Sequence, residues 1–171
     1  MSIDLGLLVL RVFVGLVVAA HGAQKLFGWF GGAGMQGFSG WMASIGLKPA
    51  RLWGLAGGLG EFGGGLLLAL GLLNPLGSLA IIAAMVMAIA LAHWSKGFWG
   101  VKGGYEFPLT LLVSSAVLGL VGPGAYSLDA ALGIALPPLI FWAGLLAIAL
   151  VDGYGISLTR QRQVANQQPA S

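Results

Sequence analysis

The sequence has no cysteine and few charges, since charged residues make up 8% of its 171 residues. Without a thiol, disulfide exchange, persulfide transfer and iron or zinc held by thiolates are excluded. The basic residues are not interleaved with aromatic ones in the manner of a nucleic-acid groove, so we expect no nucleic-acid partner. The formal net charge of +3 instead suits the surface of an anionic lipid leaflet.

Hydrophobic residues dominate the sequence at 58%, and the mean hydropathy is +0.94. A soluble protein of this length does not need so high an apolar content to form its core, so we expect a membrane protein. Five apolar stretches approach the length of about 20 residues that a helix needs to cross hydrocarbon, although the last two are short. These stretches cover residues 5–26, 52–73, 76–94, 107–121 and 138–154.

The sequence therefore predicts an all-α integral membrane protein. It would consist of a four-helix transmembrane bundle over residues 1–129, a fifth span within residues 130–158, and a disordered cytoplasmic tail over residues 159–171. In the Gly-rich connection over residues 28–50, apolar residues recur at helical spacing, which predicts a short interfacial helix. That helix is either a functional lid or a packing segment with aromatic anchors. Its apolar residues are Met35, Phe38, Trp41, Met42 and Ile45.

If the spans cross the membrane in alternating directions, the charged residues of the loops are distributed unequally between its two sides. One side receives Asp4 and Asp129, whereas the other receives seven of the eight basic residues. Because short cytoplasmic loops are enriched in Lys and Arg, we expect the N-terminus outside and the C-terminus in the cytoplasm. No basic segment precedes the first span, so we expect that span to be retained rather than cleaved. The seven basic residues are Lys25, Lys48, Arg51, Lys96, Lys102, Arg160 and Arg162.

Ionisable residues within the spans should be paired, since a lone charge in hydrocarbon costs on the order of 3 kcal/mol or more. Glu61 lies on a glycine-dense face that another helix can approach closely. At about 1.5 Å of rise per residue, Arg11 lies farther from the cytoplasmic boundary than Glu61, and His21 lies nearer. We expect Arg11 to pair with Glu61, either in a working site or only to dock the first two helices. The third span carries a second stripe of small residues: Ala80, Ala84, Ala88 and Ala92.

A further group of ionisable residues collects where the first and third spans end and the fourth begins. Taken singly, each lysine is typical of a surface charge that snorkels to water. Each histidine is typical either of a packing residue or of a functional residue. Together with Arg11 and Glu61, they outline a polar path from the middle of the bilayer to the cytoplasmic mouth. The group consists of His21, Lys25, His93, Lys96, Lys102 and Glu106.

Three functions can be considered for such a path: haem binding, quinone binding and conduction of an ion or small solute. His21 and His93 could ligate one haem, but both lie near the membrane surface, and the glycine-dense faces favour close helix contact over a macrocycle. A quinone headgroup fits better, because its carbonyl oxygens accept hydrogen bonds from His, Arg or Lys while its isoprenoid tail stays in lipid. A carboxylate and histidines could then carry protons to or from the cytoplasm. An ion or small-solute conduit would use the same residues.

Several short motifs follow one another in a fixed order over residues 5–129. They are Arg11, His21-Gly22, Lys25-Leu26-Phe27, Gly46-Leu47, Glu61 within the run 60–64, His93, Gly97-Phe98-Trp99, the run 103–106 ending in Glu106, and the run 122–129 ending in Asp129. As a set they resemble the DoxX family of small bacterial membrane proteins. Members of that family are similar to a subunit of a thiosulfate:quinone oxidoreductase and are generally described as membrane oxidoreductase components. The usual pattern has four helices, so the fifth span departs from it.

The resemblance implies a protein of the bacterial inner membrane that forms the membrane-embedded part of a redox system. Such a chain would bind a quinone itself or anchor a cytoplasmic redox partner, as a single copy or a homo-oligomer. The alternatives are a non-catalytic anchor and a small-solute or proton transporter. No catalytic residue and no metal site is assigned. The candidate cofactor-binding residues are Arg11, His21, Lys25, Glu61, His93 and Glu106.

Overall fold

The computed structural model describes residues 3–167, with side chains over residues 3–161. Within that range the chain forms helices joined by turns, without a strand. Short 3₁₀ turns follow α1 and separate α4 from α5. The α-helices are α1 (Ile3–Phe27), α2 (Gly34–Ser44), α3 (Ala50–Leu70), α4 (Leu76–Ala88), α5 (Glu106–Val121), α6 (Leu128–Leu132) and α7 (Leu139–Gln167).

Four of the described helices are long and apolar enough to cross a membrane, namely α1, α3, α7 and α4 with its extension to Lys96. Helix α5 has 16 residues. That length gives about 24 Å of helix, which is shorter than the hydrocarbon core of about 30 Å. The prediction of an all-α membrane bundle is confirmed, and α2 confirms the predicted helix in the first loop.

Helices α1 and α3 run antiparallel and touch through their backbones, because glycines remove the side chains between them. A Cβ atom added to Gly65 would lie 2.5 Å from the carbonyl oxygen of Gly15 and 2.6 Å from the nitrogen of Ala19. Nearer the start of α3, Gly22 lies against Phe62. This close approach fixes which residues of the two helices share a level in the bundle.

Helix α4 lies between α3, α5 and α7. Helix α7 runs parallel to α4, since Gly144 lies against Leu79 near the start of α4 and Gly155 lies against Met87 near its end. A Cβ atom added to Gly155 of α7 would lie 2.8 Å from the Trp53 ring and 3.1 Å from the Met87 methyl group. The late part of α7 therefore lies beside the start of α3 and the end of α4. We call this end of the bundle the basic end, after the residues Lys25, Arg51, Lys96 and Lys102.

Helix α2 folds back across the start of α3 at the basic end. The turn that reverses the chain includes Gly28, with a φ of 74°, and Phe30, with a φ of 52°. Glycine adopts this left-handed conformation without steric cost. Gly57 of α3 lies against the Phe38 ring, and Met42 of α2 is 6% exposed. The apolar face of α2 thus rests on the bundle.

Two carboxylates organise the opposite end. Asp129 accepts hydrogen bonds from the backbone N–H groups of Leu73 and Asn74, each at 2.8 Å. Asp4 accepts one from the N–H of Ala125 at 2.9 Å. Both carboxylates hold the loop after α5 against the neighbouring helix ends, so they have a structural role.

The end of α7 differs from the prediction of disorder over residues 159–171, because the helix continues to Gln167. Thr159 is 4% exposed, and its hydroxyl donates to the carbonyl of Ile156 at 2.8 Å. The first turn of the predicted tail is therefore part of the bundle. A polar composition alone does not distinguish a solvated helix end from a disordered one. Residues 168–171 lie outside the described residues.

Candidate functional site

A cavity of about 610 Å³ lies between α2, α3, α4 and α7 on the side of the basic end. Its walls are made mainly of small residues, which leave the space between the helices unfilled. Aromatic side chains of Phe38, Trp41 and Trp53 border it. The predicted alanine stripe of α4 faces this cavity rather than serving only for close helix contact. Its members at the cavity wall are Ala80, Ala84, Ala88 and Ala92.

An ion pair between Lys25 and Glu61 forms one wall of the cavity. Lys25 donates from Nζ to Oε1 of Glu61, and the ammonium also lies 5.0 Å from the centre of the Phe38 ring. Glu61 is 2% exposed. Its other oxygen, Oε2, is buried and has no hydrogen-bond partner among the described residues. A buried carboxylate with one free oxygen can accept a further hydrogen bond from a ligand.

His93 borders the same cavity at the end of a π-helical turn that continues α4 over Ile89–His93. Such turns are frequent at functional sites. The Nδ1 atom of His93 lies 2.7 Å from the carbonyl oxygen of Gly103. Because a carbonyl oxygen only accepts, Nδ1 must carry the hydrogen. In the neutral ring, Nε2 is then a hydrogen-bond acceptor.

Asp152 of α7 also borders the cavity, although it was not among the site residues predicted from the sequence. The residue is 5% exposed, and its Oδ2 atom is buried without a hydrogen-bond partner in the part of the chain that the structure describes. A signal was present in the sequence, because an acidic residue inside an apolar span marks a functional-site candidate.

The predicted pair of Arg11 and Glu61 is wrong. Arg11 donates from Nη1 to the carbonyl oxygen of Ala69 at 3.0 Å and from Nη2 to that of Tyr126. Ala69 and Glu61 are eight residues apart on α3, or about 12 Å along the helix. The negative end of the α3 dipole and two carbonyl oxygens therefore stabilise the Arg11 charge in place of a carboxylate.

His21 and Glu106 also lie outside the cavity. The exposed His21 ring packs against Phe107 with 5.6 Å between ring centres. Glu106 accepts a hydrogen bond from the N–H of Gly100 at 2.7 Å and so stabilises the turn before α5. The two histidines consequently do not face one common space that a haem could occupy. Of the six candidate residues, the structure brings together Lys25, Glu61 and His93.

Comparison with known proteins assigns the chain to a family. A family model described as DoxX matches residues 6–94. The chain belongs to the DoxX family. It is 31% identical over 130 residues to "Uncharacterized membrane protein Rv3486" of Mycobacterium tuberculosis, a match that covers 70% of this chain and 77% of that protein. It is 30% identical over 128 residues to "Putative oxidoreductase CatD" of Bacillus subtilis, which covers 75% of this chain and 87% of that protein. No solved structure matches.

The polar residues that line the cavity come from two parts of the chain, one inside and one outside the segment that the family model matches. Lys25, Glu61 and His93 lie within the matched segment of this DoxX protein, whereas Asp152 lies on α7, beyond it. The site thus combines polar residues of the DoxX segment with an acidic residue of the last helix. An apolar chamber with a few fixed polar groups is typical of a small-molecule binding site.

Proposed function

We propose that this DoxX protein is the quinone-binding, membrane-embedded subunit of a redox system, with the headgroup held in the cavity beneath α2. The observation that supports this most is the placement of the Lys25–Glu61 pair in a cavity whose walls are mainly apolar. The volume of about 610 Å³ falls in the range of about 300–1,000 Å³ that small-molecule sites occupy.

The polar groups of the cavity suit the chemistry of a quinone. The Lys25 ammonium has three N–H donors and gives one to Glu61, which leaves donors for a quinone carbonyl oxygen. Nε2 of His93 accepts a hydrogen from a quinol hydroxyl and lies on the side of the basic end, where protons are exchanged with water. Val151 borders the cavity and is 56% exposed, so an isoprenoid tail leaves into lipid beside α7.

The name of the Bacillus subtilis relative, an oxidoreductase, supports a redox role for the assembly. The electrons would come from a partner subunit at the basic end. If the chain is only an anchor for that partner, the exposed Lys96 and Lys102 would hold it, and the cavity would have no quinone.

The proposal is tested by the quinone that co-purifies with the protein in mild detergent. His93→Ala should lower the bound quinol up to about tenfold, because the hydrogen bond that Nε2 accepts from a quinol hydroxyl is worth about 0.5–1.5 kcal/mol. His21→Ala is the matched control and should leave the content unchanged, since His21 lies outside the cavity. If the protein is purified at its normal yield and contains no quinone, the proposal is excluded and the anchor function is favoured. Uptake of a solute into liposomes without quinone or partner would favour a transporter.

We propose further that the protein lies in the bacterial inner membrane with the basic end in the cytoplasm. The lysines and arginines near the helix ends collect at this end, as the positive-inside rule requires of short cytoplasmic loops. A reporter that is active only outside the cytoplasm should therefore be inactive when fused after Ser171. The same reporter fused before the first span should be active. Activity of the reporter fused at the C-terminus would indicate the opposite orientation.

A further inference from the structure

Two carboxyl groups that border the cavity each have one buried oxygen without a hydrogen-bond partner among the described residues: Oε2 of Glu61 and Oδ2 of Asp152. Their residues are 2% and 5% exposed. Buried polar atoms in folded proteins are almost always paired, because an unpaired one keeps its desolvation cost without compensation. The two carboxyl groups border the same chamber from different walls, α3 and α7. A ligand with hydrogen-bond donors can pair with both.

The two carboxyl groups lie at different depths. Gly155 of α7 shares a level with Trp53 of α3, where the two residues touch. Glu61 is eight residues farther from the basic end along α3, or about 12 Å, and Asp152 is three residues farther along α7, or about 4.5 Å. Asp152 is therefore about 7–8 Å nearer the basic end than Glu61. A ring with polar groups on opposite edges can contact one carboxyl group with each edge.

The oxidised and reduced forms of such a ring differ in what they offer these oxygens. Glu61 is paired with Lys25 as a carboxylate, so its free oxygen only accepts hydrogen bonds. Nε2 of neutral His93 also accepts, and Asp152 as a carboxylate only accepts. A quinone has carbonyl oxygens and no donor, so it pairs with the Lys25 ammonium alone. A quinol has hydroxyl groups that donate to the acceptors as well.

We propose that Asp152 is a specificity-determining residue that accepts a hydroxyl hydrogen bond, so that the cavity holds the dihydroxy form of its ring ligand more tightly than the dicarbonyl form. This inference rests on the proposed function, in which the cavity binds a quinone headgroup. Asp152 lies on α7, outside the segment that the family model matches. The preference for the reduced form is therefore a property that the last helix adds to the DoxX segment.

The test compares the affinities of a decyl-substituted benzoquinone and the corresponding benzoquinol for the full chain in lipid nanodiscs. Equilibrium dialysis against protein-free discs corrects for partition into lipid, and an excess of reductant keeps the quinol reduced. The wild-type protein should bind the quinol roughly tenfold or more tightly, since the hydrogen bond to a carboxylate is charge-assisted. Asp152→Asn adds an N–H donor that pairs with a quinone carbonyl, so the ratio of affinities should fall towards one.

Two matched variants separate a polar effect from a structural one. Asp4→Asn removes a carboxylate at the opposite end and should keep the wild-type ratio. Asp152→Ala leaves the cavity larger without a new donor and should also lower the ratio, which gives a second readout if the asparagine variant folds poorly. A wild-type ratio near one, or a ratio that neither Asp152 variant changes, overturns this proposal while quinone binding stands. Wild-type protein that binds neither form overturns the proposed function and this inference with it.

Discussion

Replacing Lys25 with methionine should destabilise the bundle by about 3–5 kcal/mol, because Glu61 then becomes an unpaired buried carboxylate. Glu61 is 2% exposed, so water cannot replace the lost ammonium. Glu61→Met should cost less, since Lys25 is 28% exposed and its ammonium can turn towards water. The double replacement removes both charges and should be milder than Lys25→Met alone. Unfolding free energies in mixed detergent micelles measure all three.

The exposed Lys102 provides the control for this double-mutant cycle. Lys102→Met removes a lysine at the same end of the bundle and should change the unfolding free energy by less than about 0.5 kcal/mol. If the losses of the two single variants add up in the double variant, the pair has no coupling energy and the assignment is wrong. The double variant should also lose bound quinone, which distinguishes the stability of the pair from its role in the site.

The sequence was sufficient for the order of the long apolar helices and for α2, but not for the short helix α6 or for the pairing of the charges. Apolar length and glycine spacing predict which segments cross the membrane and which faces meet, and both follow from local sequence. The partner of Glu61 depends on a longitudinal shift between α1 and α3. That shift is set by where Gly15 meets Gly65 and where Gly22 meets Phe62. Estimates of depth from each helix end cannot supply it, and so Arg11 was chosen in place of Lys25.

The cavity is a second feature that local sequence could not predict. A stripe of small residues has two outcomes, close contact with a neighbouring helix or an unfilled space beside it. On α4, Ala80 meets Gly64 of α3 and also borders the chamber beneath α2, while Ala88 borders the same chamber. Which outcome occurs depends on where α2 and α7 lie, and both are remote in sequence. His93 was predicted correctly as a residue of the site, whereas Asp152 was within reach of the same argument but was not considered.

The neighbouring glycines Gly63 and Gly65 of α3 should respond to alanine with opposite signs. Gly65→Ala places a methyl group against the backbone of Gly15 and Ala19, which cannot rotate away as a side chain can, and the cost should be about 1–3 kcal/mol. A Cβ atom at Gly63 has nothing within 4 Å, so Gly63→Ala should stabilise the helix by up to about 1 kcal/mol. The same unfolding measurement applies to both variants.

This pair of variants also tests how the fold produces the site. If the contact between Gly15 and Gly65 sets the level at which Lys25 meets Glu61, Gly65→Ala should lower the quinone retained by the protein that remains folded. Gly63→Ala leaves the α1–α3 contact intact and should keep the wild-type quinone content. Equal stability and equal quinone content in both variants would show that the two helices do not approach through these glycines. The position of the ion pair would then need another cause.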